Sequence, residues 1–296
     1  MKIKKAEPLT LVAYVVLFLL SAASILPFIL LFISSLTDEA TIIKYGYTFF
    51  PEKFSLKAYE YLYQQSTLIL NGYKITVLMT VIGTALSLIV TLCLAYPLSR
   101  KELPARNFFN FIVFFTLLFN GGLVPTYLMY TQVFHIKNTL LALLIPSLLM
   151  NGYNVIFART YFQTSIPDAI IEAATVDGAG KIKTFICIVL PISFPIMATI
   201  GLFAGIGYWN DWYNGLIYLT KPELFSLQNI LNRMITDLQF IASTNLGGNS
   251  GTATMNVPTT GVRMAIAVIG IIPIILAYPF FQKYFVKGIT LGAVKG

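Results

Sequence analysis

Charge is what this sequence has least of. Charged residues make up 11% of a chain of 296, against 57% hydrophobic, and the mean hydropathy is +0.77. So little polar material cannot coat a water-soluble globule of this size, and the chain reads as an integral membrane protein. Histidine occurs once, as His135 beside Lys137, with no Cys, Asp or Glu near it at ligand spacing; it is read as an interface residue and provides no metal-ligand set. The two cysteines, Cys93 and Cys187, lie inside apolar runs and are expected to be packing residues. Paired carboxylates within apolar segments are lacking, which argues against a membrane enzyme. Asp211 alone approaches the interior of such a segment, which argues against ion-coupled secondary transport. The net charge of +8 is scattered at segment ends, so it orients helices and forms no nucleic-acid surface.

What the sequence has is a series of apolar runs. Residues 9–33 follow a basic start, run longer than a signal-peptide core, and are expected to form a retained first transmembrane helix. Residues 34–71 are an external loop of mixed charge, with Tyr45, Tyr47, Phe49 and Phe50 to hold it at the membrane surface. Residues 72–98 form a second span, with Thr76, Thr80, Thr84, Ser87 and Thr91 as a polar stripe on one face. Close helix packing and lining of a solute path both fit that stripe. Residues 107–134 form a third span, in which Asn120-Gly121-Gly122 predicts a break, because a buried Asn must find a partner or face water. Residues 139–161 form the fourth, containing Pro146, Asn151 and Asn154. At about 1.5 Å rise per residue, Asn120 and Asn151 both fall near the midplane.

Residues 191–219 form a fifth span, in which Gly201, Gly205 and Gly207 allow close backbone approach. Its outer end gathers Trp209, Asn210, Asp211 and Tyr213. That cluster fits an interfacial aromatic belt, or a sugar contact surface where rings pack on C–H faces and amides meet hydroxyls. Residues 221–261 form an external loop holding a surface helix over 227–241 and a Gly/Ser/Thr/Asn-rich turn region over 243–256. Residues 262–285 form the last span. The sum is about six transmembrane helices with both termini cytoplasmic, the side on which Lys and Arg collect.

Between the fourth and fifth spans, residues 165–191 are too polar and too broken by Gly and Pro to cross a bilayer. Ser165, Pro167 and Asp168 predict a helix start, and Gly178 predicts its end. A second helical run follows with Ile182, Phe185, Ile186 and Val189 on one face. The product is a helix-turn-helix with Glu172 and Asp177 on the first arm and Lys181 and Lys183 on the second, an element built to dock. Gly180-Lys181 is not a phosphate-binding loop, because Thr175 and Ile182 stand where that loop needs Gly and Ser or Thr. The chain is not expected to bind ATP.

Glu172-Ala173-Ala174, Gly178, Ile188 and Leu190-Pro191 stand at the spacing of the EAA loop, and the stretch resembles that of binding-protein-dependent ABC importer permeases. The six-span layout and the ending over 288–296 are similar to the MalG-like permeases of the carbohydrate-uptake class, in the subgroup resembling LplC. The resemblance implies an all-α integral membrane protein with the type I ABC importer transmembrane fold and a cytoplasmic coupling helix. It places the chain in the bacterial cytoplasmic membrane as a permease subunit and not an enzyme, forming half of the pathway for an oligosaccharide or polysaccharide fragment. The implied partners are a second permease subunit, two ATPase subunits that hold the ATP and Mg, and an extracellular solute-binding lipoprotein; this chain itself would bind no cofactor.

Carried over, Glu172, Ala173, Ala174, Asp177 and Gly178 would contact the ATPase, and Gly288, Thr290, Gly292 and Lys295 of the tail would reach the same interface. Residues 243–256 stand where the family has a loop that probes the binding protein. Asn120, Asn151, Asn154, Trp209, Asn210, Asp211 and Tyr213 are the candidates for the solute pathway. The chain divides accordingly into a first helix and external loop (1–71), a transporter core (72–287) and a cytoplasmic tail (288–296). An importer of peptides or another solute shares the same loop, and a secondary transporter is the remaining alternative.

Overall fold

Hydrocarbon offers no partners to backbone N–H and C=O groups, so a chain in a membrane must close its hydrogen bonds within its own segments, which helices do. The computed structural model describes residues 8–246 and 259–293, and its regular structure is helical apart from one isolated antiparallel bridge between Thr37 and Phe54. In chain order the helices are α1 (Pro8–Ser35), α2 (Glu39–Tyr45), α3 (Lys57–Gln64), α4 (Ser66–Ser99), α5 (Arg106–Leu118), α6 (Leu123–Val133) and α7 (Leu141–Leu144). There follow α8 (Gly152–Ser165), α9 (Asp168–Val176), α10 (Lys181–Ile192), α11 (Phe194–Trp209), α12 (Tyr213–Tyr218), α13 (Leu227–Leu246) and α14 (Thr259–Ala293).

Among the described residues three helices are long and apolar enough to cross a bilayer, over Val12–Ser35, Ser66–Ser99 and Thr259–Leu276. Two bent pairs, α5 with α6 at 114° and α10 with α11 at 80°, raise that number to five at most. By length and composition this gives at most five of the about six spans expected, and the segment left out is the fourth. Pro146 has no N–H to give a helix, Ser147 takes φ +62, and Asn151 starts α8 afresh by accepting the N–H groups of Tyr153 and Asn154 at 2.9 and 3.3 Å. At 14 residues, α8 is about 21 Å long, short of the roughly 30 Å of a hydrocarbon core. The break predicted in the third segment is present: Gly122 takes φ +84 and donates its N–H to Asn120 Oδ1 at 2.9 Å.

The chain divides into two units, residues 1–67 with 233–274 and residues 68–232 with 275–296. In the first, the expected external loop is partly helical through α2 and α3. Ser35 and Tyr59 share a hydroxyl hydrogen bond of 2.8 Å. Glu39 lies across the start of α14, where its two carboxylate oxygens accept the N–H groups of Thr260 and Gly261, each at 2.9 Å.

The core of the second unit joins Leu92, Ala95 and Leu98 of α4 to Val155, Ala158 and Phe162 of α8 and to Ile196 and Ile200 of α11. Gly83 admits the ring of Tyr208, whose hydroxyl donates to Leu144 O at 2.8 Å. Of the two readings of the threonine stripe, packing holds: Thr76, Ser87 and Thr91 are buried, and a Cβ on Gly205 would stand 3.4 Å from Thr84 Oγ1. Helix α13 is not simply a surface helix as expected, because Leu227 and Ile230 are buried and the Leu227 N–H donates to Thr76 Oγ1 at 2.8 Å. The cysteines are corrected too: Cys93 and Cys187 are free and exposed, not packed.

Candidate functional site

The docking stretch folds as two helices, α9 and α10, joined by a tight turn. Gly178 at φ +78 donates its N–H to Thr175 O at 3.0 Å, and the next N–H, of Ala179, reaches Ala174 O at 2.9 Å. These paired bonds satisfy the last carbonyls of α9 and reverse the chain, a conformation that a residue without a Cβ adopts freely. The start differs from expectation. Ser165 is the last residue of α8, and the residue preceding α9 is Pro167, whose side chain has no oxygen to cap with. Proline's fixed φ and an extended ψ set the entry to α9.

The loop turns an acidic and apolar surface outward. Glu172, Ala173, Asp177 and Gly178 are exposed, Val176 is 87% exposed and Ile182 76%. Ala174 is the exception among the expected contact residues, being buried. Of the apolar face foreseen on α10, Val189 is buried and Phe185 half-buried, while Ile182 and Ile186 are exposed. Val176 and Ile182 therefore present apolar side chains at the surface of this turn.

The anchors were not foreseen. Arg100, just past α4, forms an ion pair with Asp168 of α9 at 3.1 Å and lies 5.2 Å over the ring of Tyr96. Tyr96 in turn stacks on Phe185 of α10 with centroids 4.8 Å apart and meets the edge of Phe162 of α8 at 5.9 Å. The final carbonyls of α4 are taken from α8: Arg159 Nε donates to Leu98 O at 3.3 Å and Gln163 Nε2 to Ser99 O at 3.2 Å. These pairs are 61 to 68 residues apart, so no local pattern announces them. The signal available was chemical: helix ends leave carbonyls unpaired, and Arg and Gln were the donors within a turn of one another on α8.

The solute-pathway candidates separate into groups. A cavity of about 350 Å³ is lined by Ser147, Asn151, Tyr153 and Asn154 at the start of α8 and by Phe203 and Gly207 of α11, among others. It brings Asn151 and Asn154 together, and its lining does not include Asn120 or residues 209–213. Asn120 is exposed at the α5–α6 break. Trp209 is half-buried 6.5 Å from Tyr73, and Asp211 Oδ1 accepts the Asn214 N–H at 3.1 Å to start α12. Asn210 and Tyr213 are exposed. Of the tail candidates, Gly288, Thr290 and Gly292 fall in α14, while Lys295 and most of the expected probing loop, 247–256, lie outside the described residues. Among the described residues no cluster of three or more His, Cys, Asp or Glu could hold a metal.

The family described as "Binding-protein-dependent transport system inner membrane component" matches residues 103–291. Protein LplC of Bacillus subtilis (strain 168) is 36% identical over 93% of this chain and 90% of its own length. The polygalacturonan/rhamnogalacturonan transport system permease protein YtcP of the same organism is 34% identical over 96% of each. Among solved structures, a chain from the crystal structure of a bacterial ABC transporter involved in the import of the acidic polysaccharide alginate matches with a TM-score of 0.77 and 30% identity, covering 96% of this chain and 99% of its own. The all-helical fold, the exposed helix-turn-helix and a family match over most of the chain lead to one conclusion: the protein belongs to the inner membrane component family of binding-protein-dependent transport systems, as a permease subunit with the type I ABC importer fold.

Proposed function

We propose that this chain forms half of the membrane pathway of an importer for an oligosaccharide or polysaccharide fragment, and that residues 168–192 dock a cytoplasmic ATPase. The observation that carries the docking is the contrast within one turn: Glu172, Val176 and Ile182 are exposed while Ala174, Thr184 and Val189 beside them are buried. The saccharide class is supported by the names of relatives, which include transport proteins for polygalacturonan/rhamnogalacturonan and arabinooligosaccharides.

In this reading a second permease completes the pathway, two ATPase subunits bind ATP and Mg, and an external solute-binding lipoprotein delivers the sugar. Both termini face the cytoplasm, and the tail from Gly288 approaches the ATPase. Glu172 pairs with a basic side chain of the ATPase, while Val176 and Ile182 enter an apolar part of its groove. ATP drives the permease between states only because the ATPase contacts this loop differently in each of them.

The test is capture of the tagged chain from its native membrane in mild detergent, followed by identification of what is retained. A second permease and an ATPase are expected. Glu172→Lys should lose the ATPase while keeping membrane insertion and the second permease. Recovery of the chain alone, even after cross-linking, would sink the docking assignment, and a co-purified binding protein specific for peptides would sink the saccharide assignment.

A further inference from the structure

Resting on the transport reading above, we propose that the cavity at the start of α8 is a sugar-ring subsite carried by this chain itself, and that it takes an uncharged ring. Its volume of about 350 Å³ lies at the small end of the range of ligand pockets, roughly 300–1,000 Å³. It therefore holds a short piece of an oligosaccharide and not the whole chain.

The polar groups in it are unspent. Asn154 is 7% exposed, and its side-chain amide makes no hydrogen bond among the described residues, its backbone N–H alone being taken by Asn151 Oδ1 at 3.3 Å. Neither polar atom of that amide is closed off from solvent, so it can exchange water for a ligand; an amide carries both donors and an acceptor, which is the complement of a sugar hydroxyl. Asn151 spends its oxygen on the two backbone N–H groups of α8, which leaves its NH₂ group to donate. Ser147, held at φ +62, adds a hydroxyl from a backbone conformation that serine seldom takes. The apolar side is aromatic: Tyr153 is 63% and Phe203 44% exposed, faces against which the C–H surface of a pyranose or furanose packs.

The charge of the ligand follows from what lines the cavity. No Lys, Arg or His is among its lining residues. A uronate carboxylate seated here would lose water and gain no cation from this chain, which is unfavourable. A neutral ring loses nothing of the kind. The subsite therefore differs in kind from what a chain of acidic sugars requires.

The test uses the complete transporter in its host, with labelled arabinotriose, raffinose and cellotriose as neutral probes and trigalacturonate and trimannuronate as acidic ones. Deleting the chain should abolish uptake of at least one neutral probe. For that probe, Asn154→Ala should raise the half-saturating concentration about five- to tenfold, the loss of one or two hydrogen bonds. Gly207→Leu should do the same by occupying the cavity, since a Cβ there meets Leu148 Cδ2 at an ordinary 3.5 Å; it keeps the test decisive if Asn154→Ala accumulates poorly. Uptake of acidic probes alone overturns the inference, as do unchanged half-saturation in both variants and loss of the second permease from either purified variant, which would make the cavity a seat for that partner. If deletion alters uptake of no probe, it is the saccharide reading that has failed, and the subsite falls with it.

Discussion

Replacing Gly178 by alanine isolates the conformational demand of the docking turn. The residue sits at φ +78, and a Cβ built on it meets nothing within 4 Å. Within this chain the cost of alanine is therefore backbone conformation and nothing else. For an L-residue held in the left-handed region that cost is roughly 1–2 kcal/mol, a factor of about 5–30 in the population of the native turn. Asparagine enters this region several-fold more readily than other non-glycine residues, so Gly178→Asn should recover much of the loss despite its larger side chain. The assay is ATP-driven uptake into vesicles holding the assembled transporter, normalised to the ATPase retained by the chain. The expected order is Gly above Asn above Ala, with Ala lowering transport by no more than about 30-fold. If Asn is as damaging as Ala, or worse, then Gly178 supplies room for a bound partner, and the argument from φ is refuted.

Two predictions concern the scaffold. Glu39→Gln removes the charge that holds the second and third N–H groups of α14, an interaction of about 1–2 kcal/mol; amide exchange at Thr260 and Gly261, followed by mass spectrometry, should quicken about tenfold or more, and unchanged exchange would show that the contact does not hold the helix start. Gly83→Ala places a Cβ within the ring of Tyr208, which is fixed by its hydrogen bond to Leu144 O. Overpacking of this kind costs about 1–3 kcal/mol, so the thermal midpoint of the detergent-solubilised chain should fall by several degrees, and a midpoint equal to the wild type would mean that the ring is free to move aside.

The docking loop was legible because its signals are local. Gly178 marks a reversal in any sequence that is helical on both sides, and charged residues within a polar, Pro-broken stretch exclude a span. Asn120-Gly121-Gly122 was legible for the same reason, since two glycines and an amide in an apolar run weaken the helix where they stand. The fourth segment was not. Its run over residues 139–150 is rich in leucine, and Pro146 alone predicts at most a kink. What makes the full break affordable is remote: the hydroxyl of Tyr208 donates to Leu144 O at 2.8 Å and Asn214 Nδ2 to Pro146 O at 3.0 Å, from 64 and 68 residues away. Carbonyls that leave a helix in an apolar setting must find such donors. The same break decides which solute candidates meet at the cavity, whose lining holds Asn151 and Asn154 and not Asn120. The break makes Asn151 a helix cap and turns it, with Asn154, into the cavity.

The cavity and the docking loop stand at opposite ends of the same pair of helices. Asn151 and Asn154 open α8, which ends at Ser165 just before the loop; α11 begins just after it, and Phe203 and Gly207 lie in its second half. Ala158, Phe162, Ile196 and Ile200 lock the two helices into one core, so α8, about 21 Å long, acts as a strut and not as a spring. A displacement imposed on α9 and α10 is then carried to the cavity unless a joint absorbs it. The joint available is the 80° bend between α10 and α11, at Ser193, which is fully buried and ties its hydroxyl to Val189 O at 2.7 Å. That bond closes the last turn of α10 just before the bend. Occupancy of the cavity and engagement of the loop can influence one another only to the extent that each favours a different setting of this joint.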